Sequence, residues 1–115
     1  MTHVIVTYPE KIESVLNARE HWARKASRAK RQRTVAWAEL RGVQLPAFVS
    51  SLTVKLTRIA PRKLDDDNLA AGFKATRDGV ADWLRVDDGD KRLRFEYAQE
   101  RGAPKYYAVR IEVTA

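Results

Sequence analysis

The chain has 115 residues, 32% of them charged and 44% hydrophobic, with a formal net charge of +7 at pH 7. This size and composition predict one folded domain spanning residues 1–115 and exclude an extensively disordered chain. Cysteine is absent, which excludes disulfide bonds and zinc sites built from thiolates, and the excess of positive charge favours phosphate-bearing partners.

The first half of the sequence predicts two strands separated by a long helix. Residues 4–8 form an apolar run that ends at a proline, as is typical of a short strand. A helical period over residues 17–41 predicts an amphipathic helix, with an apolar face formed by Trp22, Ala26, Ala29, Ala36 and Leu40. Residues 51–57 alternate between apolar and polar side chains, which predicts a half-buried strand.

The second half predicts another helix and two further strands. Residues 68–84 have the helical period, with a buried side formed by Leu69, Phe73, Thr76 and Val80. Residues 92–98 and 106–113 alternate as strands do, and residues 99–105 between them suit a hairpin loop. The predicted order β-α-β-α-β-β indicates an α+β domain, in which two main helices pack on a small mixed or antiparallel sheet.

Acidic residues are concentrated at two points of this basic chain. Residues 65–68 read Asp-Asp-Asp-Asn, and residues 87–90 read Asp-Asp-Gly-Asp. Crowded carboxylates repel one another unless a cation lies between them, and Mg²⁺ and Mn²⁺ are the usual cations held by carboxylate and water oxygens. The two segments therefore indicate a candidate metal site.

The helical repeat groups some of these acids with a lysine. At 100° per residue, Asp67, Ala71, Lys74 and Asp78 fall on one side of the predicted second helix. Asp65, two residues before Asp67 in extended chain, points in the same direction. We therefore predict one solvent-accessible surface that carries three carboxylates and an ammonium group.

Each acidic segment also has a purely structural interpretation. Asp66 or Asp67 could be the N-cap of the helix that follows. Residues 87–90 could form a turn, because aspartate and glycine are favoured there. The same segment resembles part of a calcium-binding loop, but the bidentate glutamate expected at the end of such a loop is missing.

These residues together resemble the signature of the RusA family of Holliday junction resolvases, small endonucleases common in phages and prophages. In that family a D-x-D-N motif enters a helix that carries a lysine and then an aspartate, and a D-D pair precedes the next strand. The matching positions are residues 65–68, then Lys74 and Asp78, then residues 87–88. The sequence departs from the pattern at Ala71, because the family usually has its lysine there and Lys74 stands three residues further on.

The resemblance implies an Mg²⁺-dependent endodeoxyribonuclease, with Mn²⁺ as a substitute, that resolves four-way junctions or other branched DNA. Its metal ligands would be Asp65, Asp67 and Asp88, which together with Lys74 would form the catalytic set. The metal would activate water, and Lys74 would stabilise charge on the scissile phosphate. The family also implies a homodimer, encoded by a phage or prophage and acting in the bacterial cytoplasm.

The positive charge is concentrated around the predicted first helix. Residues 11–42 contain nine lysines and arginines against three glutamates. Such a helix either presents a solvated face or holds backbone phosphates without reading sequence. The predicted DNA contacts are Arg24, Lys25, Arg28, Arg31 and Lys63.

Two expectations concern the setting of the protein. No segment approaches the roughly 20 apolar residues of a membrane-spanning helix, and residues 1–6 lack the features of a secretory signal, so we expect a cytoplasmic protein without a membrane partner.

The alternative function is a non-catalytic nucleic-acid-binding protein that keeps the RusA-like fold, which Ala71 in the usual lysine position favours. A structural or regulatory protein, with its acids serving as caps and turns, is a third interpretation.

Overall fold

The helices and strands confirm the α+β class predicted from the sequence. The computed structural model describes residues 3–14, 21–44 and 51–115. The order of elements is β1 (His3–Pro9), α1 (Trp22–Leu40), β2 (Leu52–Ala60), α2 (Asp66–Gly72), α3 (Lys74–Leu84), β3 (Leu93–Arg101) and β4 (Ala108–Thr114). The predicted second helix is thus two helices, and residues 17–20 of the predicted first helix lie outside the described residues.

The strands in the described residues form one sheet in the order β1-β4-β2-β3. Strand β4 is antiparallel to both of its neighbours, whereas β2 and β3 are parallel. Parallel neighbours need a crossover connection, and α2 with α3 supplies it. The predicted hairpin over residues 99–105 is wrong, because β2 lies between β3 and β4. Alternation of side chains identifies a strand but does not identify its neighbour.

The core lies between the helices and one face of this sheet. Alternate residues of the two inner strands contribute fully buried aliphatic side chains, including Val54, Leu56, Val109, Ile111 and Val113. The helices contribute Leu40, Leu69, Phe73, Val80 and Trp83 to the same cluster. Each such side chain contributes about 1.5–3 kcal/mol when it is buried.

Within the described residues, no helix has the length and apolar character that crossing a membrane requires.

Helix α1 buries only part of its predicted apolar face. The buried residues on this helix are Gln32, Ala36 and Leu40. The prediction is wrong for Trp22, Ala26 and Ala29, which are exposed, with 74% of Trp22 open to solvent. The periodicity continues along the helix, but the packing against the rest of the protein does not.

Helices α1 and α3 approach each other closely at Gly79. A Cβ atom at this position would overlap the carbonyl oxygen of Arg33 and would lie 2.9 Å from the Cβ of Ala36. A bidentate ion pair joins the same two helices, since Arg33 donates from Nε to Asp82 Oδ2 (2.7 Å) and from Nη2 to Oδ1 (2.8 Å). Glycine is therefore required at Gly79 by the distance between the helices.

The break between α2 and α3 falls at Phe73, where the backbone has φ −89° and ψ 0°. A Cβ on the preceding Gly72 would lie 2.7 Å from Ile12 Cγ2 and 3.0 Å from the Glu13 carbonyl oxygen. Phe73 itself is fully buried, and its ring stacks on that of Tyr97 at a centroid distance of 6.0 Å. Packing at these two residues interrupts a helix that periodicity alone predicts as continuous.

Candidate functional site

The acidic triplet of Asp65, Asp66 and Asp67 lies where the chain leaves β2 and enters α2. Asp65 is the N-cap residue, but its side chain makes no capping hydrogen bond. Asp66 and Asp67 lie inside the first helical turn, where the helix dipole favours carboxylates, so the N-cap interpretation of these two residues is wrong. All three are exposed, and none forms an ion pair with a described residue. Their carboxylates therefore face solvent.

Two side chains from distant parts of the chain hold this segment in place. The Gln99 amide pairs with the backbone of Leu64, accepting from its N–H and donating to its carbonyl, both at 2.8 Å. Asn68 is buried and accepts a hydrogen bond of 2.6 Å from Ser14 Oγ. Neither contact is predictable from the sequence, because no local pattern indicates partners that lie 35 and 54 residues away.

Lys74, the first residue of α3, contacts two carboxylates at once. Its Nζ lies 2.6 Å from Asp78 Oδ1 and 3.0 Å from Asp88 Oδ2. These two carboxylates raise the pKa of Lys74, Asp78 more than Asp88, and the ammonium in turn lowers the pKa of Asp88. Because 61% of the Lys74 side chain is exposed, solvent screens the pairs, and their main effect is to orient the groups.

Arg77 supports the loop that carries Asp88. Its Nη2 donates to the Asp88 carbonyl at 3.4 Å, and its Nη1 donates to the Tyr97 hydroxyl at 3.1 Å. The guanidinium also lies 4.6 Å from the centre of the Phe95 ring. Arg77 was not among the predicted site residues, although its position three residues after Lys74 places it on a neighbouring part of the helix surface.

The other acids of residues 87–90 shape the turn itself, as the turn interpretation predicted. Asp87 Oδ1 accepts from the Gly89 N–H at 3.2 Å. Asp90 accepts from the Arg92 N–H at 2.9 Å and from the Arg92 side chain, which lowers the pKa of Asp90 to about 2. Asp88 is the residue of this turn whose carboxylate reaches Lys74.

The predicted metal ligands do not form one cluster. Asp88 pairs with Lys74, whereas Asp65 and Asp67 form no ion pair with it. In the part of the chain that the structure describes, no three histidine or acidic side chains lie close enough together to hold a metal ion. Strand pairing accounts for this, since Asp65 follows the carboxyl end of β2 and Asp88 precedes the amino end of β3, which are opposite ends of a parallel pair.

The oxygens present nevertheless fit a hydrated divalent cation. Asp78 and Asp88 share the ammonium of Lys74, so two carboxylates already hold one cationic group between them. Mg²⁺ keeps several water ligands and commonly binds through only one or two protein carboxylates. The described carboxylates could thus offer such an ion one or two ligands, and not a closed cage of three.

A groove of about 370 Å³ lies between α1 and the residues around the start of α3. The α1 wall is rich in cations, with Lys25, Arg28, Lys30 and Arg33 beside the uncharged Ala29 and Gln32. The other wall contains Ala71, Lys74 and Asp78, so the prediction that these three share one side is confirmed, but Asp67 does not line the groove. Lys30 and Arg33 were missed as groove residues because the sequence does not show where α1 faces α3.

The five predicted DNA contacts differ in their surroundings. Arg24, Lys25 and Lys63 are exposed and form no ion pair with any described residue. Arg24, Arg28 and Arg31 line one shallow depression on α1 together with Ser27. Arg24, Lys25 and Lys63 therefore present their charges to solvent.

Two of these arginines also hold α1 to the segment that follows β1. Arg31 forms a bidentate pair with Glu10, whose side chain is only 4% exposed, at N–O distances of 2.9 and 3.2 Å. Arg28 Nη1 lies 3.8 Å from Glu13 Oε2, and the Arg28 side chain is 18% exposed. A buried carboxylate needs such a partner, so Arg31 has a structural role that the sequence analysis did not predict.

We expect Lys74→Gln to raise the pKa of Asp88 toward its ordinary value of 3.8, because the substitution removes the ammonium that stabilises the carboxylate. The pair stabilises the fold above pH 3.8, and this contribution is lost as the pH falls through the lower folded pKa of Asp88. Carboxyl NMR titration measures the change. Asp90 is the internal control, since its partner is Arg92 and its pKa of about 2 should not move. An unchanged Asp88 titration contradicts the pairing.

Comparison with known proteins does not assign this site. No protein-family model matches the sequence. An uncharacterized protein of Xylella fastidiosa (strain Temecula1) is 38% identical over 79 residues, which cover 63% of this chain and 51% of the relative. The chain therefore spans about half the length of the curated relative that it matches.

Proposed function

We propose that this protein is a metal-dependent, structure-selective endodeoxyribonuclease that acts on branched DNA such as four-way junctions, as its resemblance to the RusA family implies. The observation that carries the proposal is the cluster of Lys74, Asp78 and Asp88, which adjoins a groove with a basic opposite wall. A polyanion held on that wall brings a phosphate to the only cluster, among the described residues, in which one lysine contacts two carboxylates.

Each described group has a part in this activity. Mg²⁺ held by water and one or two carboxylates, either at Asp88 or at the acids of the α2 first turn, would supply charge neutralisation and an activated water. Lys74 orients Asp88 and places an ammonium beside the groove, where it offsets charge that develops on a phosphate. Arg77 keeps Asp88 in position by holding the backbone of its loop.

The basic face of α1 supplies the affinity for DNA. Arg24 and Lys25 contact phosphates from the exposed side of the helix, and Lys63 does so from the segment before α2. Such contacts position a duplex without reading its sequence, as a structure-selective enzyme requires. A homodimer presents two copies of the site and so suits a substrate with two-fold symmetry.

The proposal is tested by incubating the protein with a labelled synthetic four-way junction in Mg²⁺, in Mn²⁺ and in EDTA. We expect nicks near the branch point in either metal and none in EDTA, with linear duplex of the same length cut far less. Metal should also raise the melting temperature, because a ligand that binds only the folded state stabilises it by mass action. A junction that stays intact in both metals contradicts the proposal.

A second candidate function is nucleic-acid binding without catalysis. Ala71, in the usual lysine position of the family, lines the groove and brings no charge to it. The second observation is that no group of three potential ligands exists within residues 3–14, 21–44 and 51–115. Salt-dependent junction binding without cleavage in any divalent metal supports this function over the first.

A further inference from the structure

Arg58 on β2 is a buried cation without an acidic partner. The residue is 7% exposed, and its Nε donates to the Ile12 carbonyl at 2.8 Å. Its Nη1 donates to the Arg62 carbonyl at 2.5 Å, while its Nη2 donates to no described residue. Burial lowers the pKa of Arg58, and no described carboxylate offsets that cost. A buried guanidinium that has N–H groups without an acceptor can donate them to an anion.

Arg58 lines a crevice of about 400 Å³ that is strongly basic. Arg62, Lys63 and Arg101 also line it, and none of them forms an ion pair with a described residue. The one acid in the lining is Glu100. Four cationic side chains and one acidic side chain therefore line the crevice.

Glu100 does not offset this charge, because another arginine already engages it. Arg110 donates from Nη1 and Nη2 to the two Glu100 oxygens at 3.0 and 3.1 Å. This bidentate pair lowers the pKa of Glu100. The crevice thus has an excess of positive charge that is not neutralised from within the described residues.

We propose that this crevice is a second anion site that binds a phosphate group, with Arg58 at its base and Lys63, Arg62 and Arg101 around it. The planar guanidinium suits phosphate oxygens, and flexible cations at the rim follow the rest of the anion. The crevice adjoins the segment that leads into the acidic triplet of α2. The phosphate group belongs either to a nucleic-acid backbone or to a free phosphate ion. The first of these rests on the proposed function.

The rim is tested with Lys63→Ala and Arg101→Ala, because both residues are exposed and their loss leaves the core intact. Affinity for a short oligonucleotide duplex is measured in EDTA over a range of salt concentrations. We expect severalfold weaker binding and a salt slope smaller by about 1 for each lost phosphate contact. The matched control is Arg94→Ala on the same strand, which removes an exposed arginine roughly 23 Å from Arg101 at about 3.3 Å per residue.

The base of the crevice is tested without mutation, because Arg58 also holds the backbone of two loops. The Arg58 Nε–H NMR signal is followed while inorganic phosphate or the oligonucleotide is added. A shift with the oligonucleotide at low concentration and with phosphate only at high concentration supports the backbone source, whereas equally tight binding of phosphate supports the free ion. No shift with either probe, or rim variants that behave like Arg94→Ala, overturns the proposal. These readouts need no metal, so absent cleavage would not affect them.

Discussion

Replacing Asp67 by asparagine should abolish metal-dependent nicking of a four-way junction while leaving junction binding intact. Asp67 is exposed and pairs with no described residue, so the substitution removes a charge without disturbing a contact. If Asp67 holds the metal as the proposed function requires, its loss should reduce the cleavage rate by about 100-fold or more, since even residues that only support a ligand contribute 10–100-fold. Single-turnover cleavage and a gel-shift measurement with the same labelled junction separate the two effects.

Asp66→Asn is the matched control for this experiment. Asp66 and Asp67 are adjacent in the first turn of α2, both are exposed, and each substitution removes one negative charge from the same helix end. We expect Asp66→Asn to cleave at close to the wild-type rate, because the spacing of the triplet predicts that Asp65 and Asp67 share a side that Asp66 does not. Equal loss of activity in both variants would mean that the helix end acts through its total charge. Wild-type activity of Asp67→Asn would show that Asp67 is not part of the site.

Gly79→Ala should destabilise the protein by about 3 kcal/mol, the upper end of the usual effect of overpacking. The added methyl group meets the backbone of α1 at Arg33, and a backbone cannot move aside as a flexible side chain can. Alanine is intrinsically favoured over glycine in a helix by about 1 kcal/mol, which the steric overlap outweighs. Urea unfolding measures the free energy of unfolding. The substitution should also change the shape of the groove between α1 and α3.

Gly42→Ala is the control for the glycine substitution. A Cβ on Gly42 has no atom within 4 Å, and no glycine in the described residues has a positive φ angle. We therefore expect Gly42→Ala to change the free energy of unfolding by less than about 0.5 kcal/mol. If Gly79→Ala were as stable as Gly42→Ala, the close approach of α1 and α3 would be incorrect.

Side-chain patterns predicted the strands well, because each strand has one face in the core. Alternation located β2, β3 and β4 to within three residues at either end, and it also gave the α+β class. It did not give the order of the strands, which depends on contacts between distant segments. It also did not predict the break at Phe73, because the helical period continues through a residue whose packing interrupts the helix.

The candidate site was predicted only in part. The resemblance selected Lys74 and Asp88, which the structure brings into contact, but it did not reveal that Asp78 shares the same ammonium. The separation of the two acidic segments follows from strand direction, which the sequence does not encode locally. The structural role of Arg31 depends on the burial of Glu10, a residue that looks like an ordinary surface acid until the tertiary structure is known.

The strand order has a consequence for how this chain acquires its structure. In the described sheet every pairing joins segments about 40 residues apart or more, as between Leu52 and Leu93, and β1 pairs with the far end of the chain. The closure of such long loops costs entropy before any strand contact compensates for it, so we expect slow folding, with the helices forming ahead of the sheet. The pairing of β1 with β4 closes the longest loop in the described sheet, so we expect this edge to form last.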